Sequence, residues 1–191
     1  MTNIAVFASG SGTNFEAIVN AINDNKIENT RIAILIVDRK DAYVIERAKK
    51  LNIDYKYVNI KKFSSREEYE EEICKILEPL DIKFIILAGY MKIITNVLLN
   101  KYENRIINIH PALLPSFKGA HGILDAFKYG VKVFGVTIHY VSSELDGGKI
   151  IAQRAFEYYG NDVDELETKI HALEHELYPE VINKLIKGEI K

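Results

Sequence analysis

NIAVFASGSGTNF, residues Asn3–Phe15, begins as an apolar run, breaks into a turn of serines and glycines, and resumes as a helix-forming pattern. Ile4 to Ala8 carries no charge, as expected of a strand covered on both faces. Strand, glycine turn and helix in that order form the opening unit of a parallel α/β sheet. The same signals recur along the chain. Strands are expected at Ile32–Val37, Tyr55–Val58, Ile82–Ala88 and Ile106–Ile109, and helices at Asn14–Asn23, Ala42–Leu51 and Ser65–Leu77. After Gly130 only the turn Ser142–Gly148 separates two strand-like runs, Lys132–Val141 and Lys149–Phe156, which predicts an antiparallel hairpin extending the sheet. From Asp162 to about Lys187 the pattern is helical, and Pro179 predicts a kink or a break between two helices. The fold class is therefore α/β: a doubly wound, mostly parallel sheet with a C-terminal hairpin and a terminal helix.

With 191 residues the chain fits a single domain, 1–191, with a self-sufficient core. Its 25 basic and 27 acidic residues nearly balance, and no Lys or Arg block exceeds two, so nucleic acid is not an expected partner. The start MTNIAVFASGSGTN lacks a positively charged leader, and no run reaches the ~18 apolar residues that span a bilayer. A cytoplasmic protein without membrane partners is expected, as monomer or homodimer. Cys74 is the only cysteine, so no intrachain disulfide forms; among Tyr69, Ile73, Ile76 and Leu77 it reads as a buried thiol on a helix face.

The turn Ser9-Gly10-Ser11-Gly12-Thr13-Asn14 opens the first helix, where backbone N–H groups and the helix dipole favour an anion, phosphate above all. Phe15 occupies the place of the third glycine of the dinucleotide fingerprint, which argues against a dinucleotide. A plainer reading makes Thr13 and Glu16 a capping box that closes the helix end on itself. Two glycines, two serines, a threonine and an asparagine exceed what a cap requires, so binding is favoured; Glu16 opposes it unless its carboxylate points back to Thr13.

Asn108-Ile109-His110 ends a strand where ligand crevices of such sheets lie, and residues two apart project together. An amide and an imidazole side by side suit a carbonyl that becomes a tetrahedral oxyanion. Each alone has a structural explanation in loop bonding. Asp146, in the turn Glu144-Leu145-Asp146-Gly147-Gly148, either favours the bend or leans across to orient His110.

Taken together, GSGTN, LAGYMKII (Leu87–Ile94), NIHPALLPSFKG (Asn108–Gly119) and VSSELDGGKII (Val141–Ile151) resemble the phosphoribosylglycinamide formyltransferase family, from Asn3 to about Lys187. That resemblance implies a Rossmann-like formyltransferase fold and direct transfer of the formyl group of 10-formyltetrahydrofolate, a co-substrate, to the amine of glycinamide ribonucleotide, with small-molecule partners only and no metal. It implies a phosphate-binding half at about 1–100 and a folate-binding and catalytic half at about 101–191. Asn108, His110 and Asp146 match the family's catalytic trio. Gly12, Thr13 and Asn14 would hold the nucleotide phosphate and Glu174 its ribose or glycinamide end. Arg66, Met91, Lys92, Ile93, Ile94, Ser142, Ser143, Glu144 and Leu145 would bind folate. Lys92 stands where many relatives carry Arg, which keeps the charge and loses the planar fork. PSFKGAHG follows one of several family variants and gives His121 no assigned role.

Three rivals stand beside this reading. His171-Ala172-Leu173-Glu174-His175 matches the H-x-x-E-H zinc signature, although Leu166, Ile170, Leu173 and Leu177 also fit a core-facing stripe that leaves both histidines at the rim. A non-catalytic nucleotide-binding module would explain GSGTN and leave Asn108, His110 and Asp146 without a task. Within the superfamily, formyltetrahydrofolate hydrolase and methionyl-tRNA formyltransferase share NIHPALLP and ELDGG, but usually carry a further domain.

Overall fold

The computed structural model describes residues 1–190. Strands β1 (Thr2–Ala8), β2 (Thr30–Val37), β3 (Tyr55–Tyr57), β4 (Ile82–Leu87), β5 (Ile106–His110), β6 (Val133–Tyr140) and β7 (Ile150–Glu157) form one sheet in the order β3-β2-β1-β4-β5-β6-β7. The first five are parallel; β6 runs antiparallel to β5 and β7 to β6. This is the expected doubly wound sheet with its C-terminal hairpin.

Side-chain alternation divides the core. Ile4, Val6 and Ala8 of β1 pack on one face, against α1 (Thr13–Asn23), α2 (Val44–Lys50), α5 (Gly122–Tyr129) and α6 (Val163–Lys187). Ala5 and Phe7 pack on the other, against α3 (Arg66–Leu77) and α4 (Asn96–Lys101). Cys74 is buried on α3, where burial pushes its thiol pKa up.

Pro179 does not divide the C-terminal helix, contrary to the break allowed by the sequence; α6 is assigned as one helix through it. Leu177, Tyr178, Val181 and Ile182 are buried around this stretch of the helix, and their apolar packing offsets the cost of the hydrogen bond that proline cannot donate. Asp162 caps its start by accepting from the N–H groups of Asp164 and Glu165, and Gly188 ends it in the left-handed conformation. Helices α4 and α5, of six and eight residues, are additional to the expected elements.

Helix α6 is fastened to the site-bearing end of the sheet through Tyr178. Its fully buried hydroxyl lies 2.9 Å from the Leu87 carbonyl and 3.1 Å from that of Ile107, joining β4 and β5 to the helix. Removing the hydroxyl in Tyr178→Phe leaves buried carbonyl oxygens short of a donor. The variant is expected to lose about 1–2 kcal/mol of unfolding free energy with its fold unchanged, measured by urea titration.

Candidate active site

Two crossovers leave β1 and β4 on opposite sides, which opens a crevice between their C-terminal ends. A cavity of about 500 Å³ occupies it. It is lined by Gly10 to Asn14 from the β1–α1 turn, Met91, Lys92 and Ile93 after β4, Asn108 and His110 from β5, Leu145 and Asp146 from the β6–β7 turn, and His171 and Glu174 from α6. A second hollow of about 100 Å³ adjoins it, sharing Lys92, Ile93, Asn108, Leu145 and Asp146 and adding Ile94, Ser142, Ser143 and Glu144. Every candidate from the sequence except Arg66 therefore lines one connected crevice; Arg66, exposed at the start of α3, lines neither part. A cleft of about 580 Å³ between α1 and α6 is walled by surface lysines and carboxylates and holds none of the candidates.

At the β1–α1 turn, Gly12 is the N-cap in the left-handed conformation (φ 79°), with no side chain capping the helix. The capping box does not form. Glu16 pairs instead with the Arg47 guanidinium, whose Nε also donates to the Ser11 carbonyl at 2.9 Å. The charge that would oppose an anion in the first turn is thereby neutralised from α2. A Cβ on Gly12 would come within 2.3 Å of the Val44 side chain, so the close approach of α2 requires glycine there.

Across the cavity, Glu174 is buried and accepts from Asn14 Nδ2 at 3.0 Å and from His171 Nδ1 at 2.9 Å. That hydrogen bond raises the His171 pKa against the opposing effect of burial. Asn14 Oδ1 is buried without a partner. His175 lines the α1–α6 cleft instead, so the residues of the H-x-x-E-H motif face different hollows.

At the other end, Asp146 joins the two expected residues. Its Oδ2 lies 3.6 Å from His110 Nδ1 and accepts from the Gly119 N–H at 2.8 Å. His110 Nε2 faces the Phe117 carbonyl at 2.8 Å. Asp146 itself adopts φ 47°, a turn conformation that aspartate tolerates.

His139, which the sequence reading missed, completes the cluster. The antiparallel register sets it directly opposite Asn108. Its Nδ1 lies 2.9 Å from the Tyr140 carbonyl, which only accepts, so the proton resides there and Nε2 accepts from Asn108 Nδ2 at 3.2 Å. Burial lowers the His139 pKa, consistent with a neutral ring, so its 3.7 Å approach to Asp146 Oδ1 carries no ion pair. The ring fixes which way the Asn108 amide points and leaves its second N–H for the cavity. No sequence motif announces this, because the β5–β6 register depends on the intervening loop.

Among the described residues no helix is long and apolar enough to cross a membrane. The profile of the formyl transferase family matches residues 2–182. A phosphoribosylglycinamide formyltransferase of Bacillus subtilis is 43% identical over 187 residues, 97% of this chain and 95% of its own length. The crystal structure of phosphoribosylglycinamide formyltransferase from Bacillus halodurans superimposes with a TM-score of 0.94 at 44% identity, covering 98% of this chain and 97% of that one. Glycinamide ribonucleotide transformylase 1 from Geobacillus kaustophilus gives 0.93 at 46% identity, covering 97% and 98%. On a match to nearly its whole length, the chain belongs to the formyl transferase family.

Proposed function

We propose that this formyltransferase moves the formyl group of 10-formyltetrahydrofolate to the primary amine of 5-phosphoribosylglycinamide, the whole chain acting as one unit in purine synthesis. The observation that carries the reading is the convergence of Asn108, His110 and Asp146 on one cavity whose far end is the Gly12 turn. The named relatives supply the substrate.

In this reading the phosphate rests on the backbone of Gly12, Thr13 and Asn14, where the helix dipole and the Arg47-masked Glu16 favour an anion. Glu174 and the unpartnered Asn14 oxygen are acceptors suited to the nucleotide's hydroxyl and amine hydrogens. Folate occupies the other end, against Met91, Lys92, Ile93 and Ile94 and the segment Ser142 to Leu145. Arg66, outside the crevice, would meet only a part of the folate extending beyond it.

The amine nitrogen attacks the formyl carbon, forming a C–N bond and a tetrahedral oxyanion. Asn108 donates to that oxygen through its free N–H. His110 donates from Nε2 by exchanging the Phe117 carbonyl for the substrate oxygen, and Asp146 supplies the countercharge beside the ring. Asp146 also helps carry the proton from the attacking amine to N10 of folate as the old C–N bond breaks, releasing tetrahydrofolate. A water molecule in place of the amine would make the reaction a hydrolysis, the second reading within the superfamily. The non-catalytic module has no use for the catalytic cluster.

The decisive assay mixes purified protein with 10-formyltetrahydrofolate and glycinamide ribonucleotide. Deformylated folate should appear only with both present; formate release at the same rate without the nucleotide would make the protein a hydrolase. Asp146→Asn should lower kcat roughly 100- to 10,000-fold while changing nucleotide affinity far less, compared by steady-state kinetics and calorimetry. At the nucleotide end, the raised His171 pKa gives a pH signature. Stability from the His171–Glu174 pair is complete below the ordinary imidazole value of 6.5 and is lost as pH rises through the folded value. The melting-temperature gap between wild type and His171→Ala should therefore narrow as pH rises from mildly acid to alkaline, and stay small throughout because the ring is half exposed.

A further inference from the structure

Asp38 follows the last residue of β2, and its side chain is only 1% exposed. Among the described residues neither carboxylate oxygen has a hydrogen-bond partner, and the one countercharge is the Lys92 ammonium, 3.4 Å from Oδ2. As a stabilising contact this is poor, since a buried carboxylate without hydrogen bonds is expensive to desolvate and an apolar side chain would serve the core better. Its position is informative. Asp38 lines neither hollow of the crevice, whereas Lys92 lines both. The pair also bridges the crevice: β2 and β4 flank β1 on opposite sides, so a group after β2 reaches over the end of β1 to one after β4.

The segment from Tyr90 to Thr95, which bears Lys92, is irregular and is held at its ends. Tyr90 shares a hydrogen bond of 2.8 Å with Tyr69, Met91 N donates to Ser9 Oγ at 2.8 Å, and Thr95 donates twice to the buried Glu70, each at 2.7 Å. Between these anchors Met91 and Ile93 are 68% and 54% exposed. A lysine on such a segment has four rotatable bonds and disperses its charge unless something fixes the ammonium.

The geometry points to Asp38 as a positioning residue that acts through Lys92 on the co-substrate. Its carboxylate charge holds the ammonium, 3.4 Å away, at the junction of the hollows, where acceptor atoms of the folate would meet its N–H groups. This inference rests on the function proposed above, and it concerns folate affinity rather than the chemical step.

Kinetics of the full chain test it. Asp38→Asn keeps the shape and removes the charge; KM for 10-formyltetrahydrofolate should rise about tenfold, with KM for the nucleotide and kcat within about twofold of wild type. Lys92→Met should give a similar rise. The double variant should be no worse than either single one, since both remove the same interaction. Effects that multiply, an equal rise in both KM values, or an unchanged folate KM in a folded Asp38→Asn protein would each overturn the assignment. If Asp38→Asn does not fold, Asp38→Glu, which displaces the charge by one methylene, must show the same split between the two KM values. Wild-type transfer is measured first: its absence would end both readings, whereas its presence with any of the overturning outcomes removes only the role of Asp38.

Discussion

Strand β1 has parallel hydrogen-bonded partners on both sides and no solvent-exposed side chain from Ile4 to Ala8. Every other feature of the site depends on that enclosure. A strand so covered can change direction only beyond its end, and the crossovers from β1 and β4 depart on opposite sides, leaving a crevice that neither fills. The chain closes its floor with short polar ties: the Ser9 N–H donates to the Gly89 carbonyl at 3.1 Å, and the Ser9 hydroxyl receives the Met91 N–H. The turn after β1 and the segment after β4 are thus fixed to each other at the point where their side chains enter the cavity.

In and around the crevice, four carboxylates each have a designated partner. Glu16 is covered by Arg47, Glu174 by Asn14 and His171, Asp146 by the Gly119 N–H beside His110, and Asp38 by Lys92. Compensation of this kind lets one site hold the proposed anion-binding helix terminus at one end and the proposed catalytic carboxylate at the other without mutual interference. The imidazoles are differentiated by their surroundings. Burial favours the neutral form of His139 and the Tyr140 carbonyl fixes its tautomer, so that the ring serves to aim an amide, while His110 has a carboxylate on one side and a loop carbonyl on the other.

The loop between β5 and α5 connects these parts. Phe117 offers its carbonyl to His110, Gly119 its N–H to Asp146, and Lys118 its ammonium to Glu144 at 2.7 Å. Residues distant in sequence are thereby held in the geometry that the proposed chemistry would use, and the turn Glu144–Gly148 is bound to β5 through the loop as well as through the sheet.

Local chemistry made much of this legible in the sequence. Strand-like runs of four to ten residues, glycine turns and helical spacing predicted all seven strands, α1 to α3 and the helical stretch of α6, because covered strands and amphipathic helices leave a periodic trace. The residue types around Gly12, Asn108, His110 and Asp146 left the chemistry open by themselves; it was the resemblance of their motifs to one family that pointed to formyl transfer. What the sequence did not determine was every contact between segments distant in the chain. Glu16 could cap its own helix or pair elsewhere, and only the docking of α2 decided for Arg47. The opposition of His139 to Asn108 depends on a strand register, the continuity of α6 through Pro179 on the packing around it, and the burial of Asp38 on the meeting of two strand ends. Periodicity reports which side of an element faces the core; which partner lies there is set by packing, and packing is a property of the assembled chain.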